Sequence, residues 1–334
     1  MDGQKTRLVR TIVQLWFLAF TVFIGYRFYQ FVRHFEDPSL PFVERPSSVD
    51  AFLPISGFMS LKLFLFTGIV EPVHPASLVL FLAAIAVSVG LKKGFCGWIC
   101  PVGTVSEYAW KLGGKVAGRN AAMNEWVDGA LQFVKYLLLL LIIFLIGIAM
   151  LPTMAALFIM SDYYKVIDVR MLRFFTHPST VTVVVVGSLV ALSFVFKNVW
   201  CRYLCPYGAL LGILSYLSPL RIRRNEEKCI HCHACSSHCP GQIDVEGETK
   251  VSSHECFGCM TCVSRCPAEG ALELSYKWEK KARPVGAMGY ALALLVVFYA
   301  VVAVGMATGN WKSKMPVEEY QRLIPPISQD AAAR

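Results

Sequence analysis

Two short runs leave this chain little local freedom: Cys229-x2-Cys232-x2-Cys235-x3-Cys239-Pro240 and Cys256-x2-Cys259-x2-Cys262-x3-Cys266-Pro267. Three closely spaced thiolates wrap three irons of one cubane, and the fourth, stiffened by its proline, ligates the other cluster. The spacing therefore predicts two [4Fe–4S] clusters. Cys229, Cys232, Cys235 and Cys266 would hold one, and Cys256, Cys259, Cys262 and Cys239 the other. C-x2-C pairs also suit zinc, but two complete runs, each with its proline, favour the cluster reading. Cys229 to His233 also reads as C-x-x-C-H, a haem-attachment motif. Haem there would strand Cys235 and Cys239, so the cluster reading stands.

The rest of the chain is apolar. Only 16% of its 334 residues are charged, against about 25% in soluble domains, so membrane spans are expected. The net charge of +9 invites a nucleic-acid reading, but the basic residues crowd the loops beside apolar runs, where orientation rules put them. The expected fold is mainly α: a polytopic membrane protein of about five spans with an inserted α+β two-cluster ferredoxin domain. The spans fall near 15–32, 75–91, 133–158, 180–196 and 285–308. Residues 55–70, apolar but short for a span of roughly 20 residues, read as an interfacial or re-entrant helix with Lys62 snorkelling. Lys135 reads as snorkelling near a span end. Residues 209–220 read as a surface helix that turns Arg221, Arg223 and Arg224 towards headgroups. The domains are then 1–220 (four spans), 221–283 (ferredoxin) and 284–334 (last span and tail, with Trp311, Pro316, Pro325 and Pro326).

The segments placed on one side, including Arg119, Lys277, Lys280, Lys281 and Arg283, hold 21 of the 32 lysines and arginines. The positive-inside rule therefore puts the N-terminus and ferredoxin in the cytoplasm and the C-terminal tail in the periplasm. Reduced thiolates suit the same side.

An internal repeat carries the other four cysteines. His74-Pro75 leads through an apolar run to Cys96-x3-Cys100-Pro101-x-Gly103, and His177-Pro178 leads likewise to Cys201-x3-Cys205-Pro206-x-Gly208. The paired cysteines are 105 residues apart. A spacing of four on a helix puts two thiols on one face, and the following proline would end or re-aim that turn. Two such pairs supply ligands for a third metal or [4Fe–4S] centre. Redox-active dithiols and plain packing stay open as alternatives. His74 and His177 stand where each repeat would enter the membrane. A neutral imidazole there can accept a proton from a quinol hydroxyl, with Glu71, Asp162 and Asp168 completing the exit; helix entry at Pro75 and Pro178 is the plainer reading. No P-loop or G-x-G-x-x-G run is present.

Apolar spans, paired C-x3-C-P-x-G motifs and a following two-cluster ferredoxin resemble the membrane polyferredoxins, over roughly residues 75–276. These include the quinol-dehydrogenase membrane subunit of periplasmic nitrate reductase systems and the membrane protein supporting nitrous oxide reductase. The resemblance implies a bacterial inner-membrane electron carrier, a quinol-dehydrogenase-type subunit with quinone as substrate and a protein redox partner within a complex. The large external flavin domain of the nitrous-oxide-linked members has no counterpart here. Two rival classes remain: a metal-reducing or assembly factor working through the C-x3-C-P thiols, and a redox-sensing membrane protein.

Overall fold

The computed structural model describes residues 3–118, 120–121, 123–276 and 284–324. Arg119, Lys277, Lys280, Lys281, Arg283, Pro325 and Pro326 lie outside the described residues. In chain order the helices are α1 (Gly3–Glu36), α2 (Pro54–Thr67), α3 (Pro75–Gly90), α4 (Pro101–Val116), α5 (Glu125–Ile142), α6 (Pro152–Ile159), α7 (Asp162–Lys165) and α8 (Ile167–Thr176). Then follow α9 (Thr180–Val195), α10 (Pro206–Leu214), α11 (Ala234–Ser237), α12 (Thr261–Arg265), α13 (Ala287–Ala307) and α14 (Val317–Leu323). Three short strands, β1 (Leu220–Arg224), β2 (Lys250–Val251) and β3 (Leu272–Tyr276), form one antiparallel sheet in the order β2-β1-β3. Proline opens α2, α4, α6 and α10, because its missing N–H is one a helix start leaves unpaired anyway.

Among the described residues, three helical stretches are long and apolar enough to cross a membrane: Gly3–Glu36, Trp126–Ala149 and Ala287–Ala307. A fourth exists if Ile167–Thr176 and Thr180–Val195, bent by 76°, count as one broken span. The expected five rested on α3 and α9 as complete spans. Each has 16 residues, about 24 Å at 1.5 Å per residue, against a hydrocarbon core of about 30 Å. The expected 133–158 run is broken too: a π-helical turn over Ile143–Ala149 ends at Met150, and Pro152 starts α6.

The chain forms two compact units. The first holds Met1–Leu18, Ala84–Leu140 and Val185–Tyr299, including the sheet and all twelve cysteines. Ile222 sits at its centre, paired with Val251 on one side and Leu274 on the other, all buried. Arg221, Arg223 and Arg224 therefore lie in β1 and not at the end of a surface helix. Arg221 is buried and donates to the carbonyls of Tyr216, Ser218 and Leu220.

The second unit holds Ala19–Ala83, Leu141–Val184 and Ala300–Arg334. One core gathers Phe28, Phe31, Phe35, Val49, Val169 and Tyr320; a second gathers Met59, Leu63, Val73, Ala155, Ile159 and Tyr164. Lys62 does not snorkel. It is buried, and its ammonium donates to the carbonyls of Ile146, Gly147 and Met150. Those acceptors are left open where the helix breaks before Pro152, and a buried carbonyl needs a donor.

Candidate metal centres

The two ferredoxin motifs fold alike. His231 and Gly258, third in each run, have φ of 52° and 60°; His233 and Met260, fifth in each, have φ of 54° and 56°. Left-handed backbone at a non-glycine residue costs of order 1–3 kcal/mol. Its recurrence at matched positions marks a loop shaped to turn successive N–H groups inward, the nest geometry of anionic and iron–sulfur sites. Cys262 lies within electrostatic reach of Cys259, Cys239 and Cys256, and Cys239 of Cys259 and Cys256. These four line one cavity with Ile243, Phe257 and Met260. Cys266 lies likewise beside Cys232 and Cys229. The sets differ in setting: Cys239, Cys256, Cys259 and Cys262 are buried, whereas Cys232 is exposed and Cys229 and Cys266 are half-buried. His231 and His233 meet Glu246.

The C-x3-C-P motifs are not one face of an α-helix. Phe95–Ile99 and Trp200–Leu204 are π-helical turns, closed by Cys100 N–H to Phe95 C=O (2.9 Å) and Cys205 N–H to Trp200 C=O (3.0 Å). The second cysteine of each pair is the extended residue before the next helix, and its proline begins that helix instead of ending one. The wider turn brings the pairs together: Cys201 lies within electrostatic reach of Cys100, Cys205 and Cys96. All four thiols are free.

Among the described residues, the one group of three or more His, Cys, Asp or Glu close enough to grip a single ion is Asp50, His74 and Asp168, with ligand atoms within 4.8 Å of one another. Thiolates on one tetrahedral zinc at about 2.3 Å per bond lie about 3.8 Å apart. Among the described residues no three cysteine sulfurs fall within that 4.8 Å limit of one another. Burial pushes the Cys100 thiol up to about 11 and the Cys96 and Cys201 thiols upward too. Thiolates here therefore call for cationic partners, which irons would be.

Both repeats seat on the two ends of the same ferredoxin set. Lys92 Nζ donates to Ser253 C=O (3.5 Å), and Lys93 Nζ pairs with Glu255 Oε2 (3.3 Å), just before Cys256. In the other copy Lys197 Nζ donates to Ser237 C=O (2.6 Å) and Asn198 Nδ2 to Pro240 C=O (2.9 Å), bracketing Cys239. A Cβ on Gly97 would stand 3.0 Å from Phe257 Cβ and 3.7 Å from Cys259 Cβ, so the first pair packs backbone to backbone on the second motif.

Several groups here gave no signal in the sequence. Arg10 is buried; it pairs with Glu107 and donates to Gly97 C=O and Thr261 Oγ1. Gln14 joins the same carbonyl and carboxylate. Arg10 and Lys111 hold Glu107 down at about 2 despite its burial. Lys135 does not snorkel: it is fully buried, 2.5 Å from Glu255 Oε1. An aromatic string of Phe17, Phe298, Phe95 and Tyr207, with ring centroids 5.8–6.4 Å apart, runs from α1 and α13 to the thiols.

In the second unit the two His-Pro histidines part company. His177 is exposed at the end of α8. His74 is buried, its Nδ1 3.1 Å from Arg45 Nη2 and 3.2 Å from Asp50 Oδ1, and its Nε2 3.1 Å from Tyr164 C=O. Arg45 also binds Asp50 (2.5 Å) and Asp168 (2.8 Å). Its guanidinium supplies the cation that those carboxylates need. Glu71, buried, accepts from the Val73 and His74 N–H groups and from Tyr164 Oη. Both ring nitrogens of His74 are thus engaged by protein, which leaves neither for a quinol hydroxyl. Asp162 is exposed and paired with Arg322. Arg45, Asp50 and Tyr164 were not foreseen, being scattered through loops with no shared spacing.

Comparison with known proteins agrees with the thiol geometry. A family described as "4Fe-4S binding domain" matches residues 73–120 and 178–225, one C-x3-C-P repeat each. A second, "4Fe-4S dicluster domain", matches 221–267. The putative electron transport protein YccM of Escherichia coli is 44% identical over 97% of this chain and 92% of its own length. Protein NirI of Paracoccus denitrificans is 29% identical over 66% of this chain and 31% of its own length. The ferredoxin-type protein NapH of Haemophilus influenzae is 28% identical over 49% of this chain and 52% of its own length. No solved structure matches. With a near full-length relative, both iron–sulfur matches and apolar helices of spanning length, the chain belongs to the membrane polyferredoxin family of ferredoxin-type electron-transport proteins.

Proposed function

We propose that this iron–sulfur electron-transport protein links the membrane quinone pool, by quinol oxidation, to a protein redox partner, and that it holds three [4Fe–4S] clusters. The observation that carries the reading is the meeting of Cys96, Cys100, Cys201 and Cys205, drawn from two repeats, against the flanks of the Cys239–Cys256–Cys259–Cys262 set. The remaining set is Cys229, Cys232, Cys235 and Cys266. When bound, the clusters supply one-electron transfer. Exposed Cys232 puts the third of these sets within reach of a partner.

Five spans, with short α3 and α9 each completed by its turn, keep the ferredoxin and N-terminus cytoplasmic under the positive-inside rule, in a bacterial inner membrane. The engaged ring of His74 argues against quinol chemistry there. Phe95 and Tyr207, at the thiol end of the aromatic string, offer flat apolar faces to a quinone ring instead.

The test is iron and acid-labile sulfide per chain on anaerobically purified protein, with EPR before and after a quinol analogue. About twelve irons, falling to eight in Cys96→Ser/Cys201→Ser, together with quinol-dependent EPR signals, are expected. Eight irons in the unaltered chain would overturn the third centre and favour the assembly-factor reading. Twelve irons that quinol never reduces would sink the quinone link alone.

A further inference from the structure

Among the described residues, one carboxylate of the first unit, Glu255, is shared by two buried ammonium groups. Lys93 and Lys135 are both fully buried, and both lean on Glu255. That carboxylate is heavily shared: Oε1 takes Lys135 at 2.5 Å, Tyr136 Oη at 3.1 Å and His254 Nε2 at 3.3 Å, leaving Lys93 the longer contact at 3.3 Å through Oε2. Burying an ammonium without a full counter-charge is costly. Nearby Arg202 adds no unpaired charge, since Asp128 pairs with it at 2.5 Å.

Lys93 also lies within electrostatic reach of Cys96 and Cys201, and of the like charge on Lys135. Its Nζ also stands 5.1 Å from the centre of the Phe257 ring, next to Cys256. Four thiolates around a cubane are net negative, and net charge is one of the levers on a cluster's potential. The equivalent position in the other repeat, 105 residues on, is Asn198, neutral and committed to Pro240 C=O at 2.9 Å. The charge is therefore delivered by one repeat only.

We infer that Lys93 is the positioning residue that sets the reduction potential of the centre at Cys96, Cys100, Cys201 and Cys205, raising it by favouring the more negative, reduced state. This rests on the reading that those cysteines hold a cluster. Lys93 acts through the thiolates and touches no substrate.

The test is an anaerobic potentiometric titration followed by EPR, with iron counted on each sample, for the unaltered chain, Lys93→Met and Lys93→Arg. Lys93→Met is expected to keep about twelve irons and to lower the reduced-to-oxidised ratio of that one centre at least tenfold at fixed potential, 59 mV for a one-electron couple. The other two centres should stay in place, and Lys93→Arg should restore the original midpoint. Twelve irons with an unmoved midpoint in Lys93→Met overturns the role of Lys93 alone. Eight irons in the unaltered chain overturns the reading beneath it. Should Lys93→Met lose the centre, Lys93→Arg decides: twelve irons at the original midpoint upholds the charge, and loss there too reduces Lys93 to a packing residue.

Discussion

The two C-x3-C-P repeats agree at one end and diverge at the other. Each runs a 16-residue helix into a five-residue π turn, an extended cysteine and a proline-led helix. Each then fastens to one end of the same thiol set through residues at matched positions. At their His-Pro ends the likeness is gone: His74 is locked among Arg45, Asp50 and Asp168, while His177 is exposed. Under the proposed third centre the thiol end needs both copies, since each would supply half of a four-ligand set. The histidine end needs nothing from symmetry, so one copy became an ion-pair core and the other a helix cap.

The largest effect should come from removing the cation of that core. Arg45→Met leaves Asp50 and Asp168 buried without their guanidinium, and breaking such a pair from one side costs about 3–5 kcal/mol. His177→Ala, at an exposed position, should stay within about 0.5 kcal/mol. Thermal unfolding in detergent compares the two. Equal losses would mean that the repeats are structurally alike at this end after all.

The glycines after the two prolines give a smaller contrast within the shared end. A Cβ on Gly103 would overlap the Cys96 carbonyl oxygen, whereas on Gly208 its nearest neighbours lie at 3.6 Å, ordinary contact. Gly103→Ala must push α4 off its own π turn, at about 1–3 kcal/mol, and should lose part of the third centre's iron. Gly208→Ala fits and should hold its iron, with a gain of roughly 0.5–1 kcal/mol from a better helix residue. Iron loss in both variants would show the two turns to be equally tight.

Legibility followed the same divide. The cysteine motifs were readable because cluster chemistry forces close, regular spacing, and the iron–sulfur family models match both repeats and both ferredoxin runs. The helix entry at Pro75 was readable for a similar local reason, whereas Pro101 and Pro206, expected to end a turn, begin helices, and so does Pro152 inside the expected 133–158 span. The lengths of α3 and α9 were not readable, because composition cannot show that the chain enters a π turn at Phe95 and Trp200 after only 16 helical residues. Lys62 and Lys135 were misread by one rule. Snorkelling is the general fate of a cation near a span end, and only tertiary structure reveals the open carbonyls of Ile146 and Met150, or the Glu255 carboxylate, as nearer partners.

The smallest predicted effect concerns protonation at the divergent end. Burial opposes charging His74, but the Asp50 hydrogen bond and the charges of Asp50 and Asp168 outweigh it, against opposition from Arg45, and hold the imidazolium above its ordinary value of 6.5. A folded-state value above the unfolded one stabilises the fold fully below about pH 6.5, and that part is lost as pH rises through the folded value. The geometry gives the reason. The imidazolium donates from Nδ1 to Asp50 and from Nε2 to Tyr164 C=O. Once neutral with Nε2–H retained, Nδ1 turns a lone pair on Asp50 at 3.2 Å and keeps only the donation from Arg45. Glu71, raised chiefly by burial, adds a loss of the same sign, so the comparison must be between variants. Between about pH 6 and pH 8.5 the unfolding temperature of the unaltered chain should fall further than that of His74→Gln. Parallel falls would assign the slope to Glu71 or to groups elsewhere, and His74 would then be a neutral brace like any buried polar side chain.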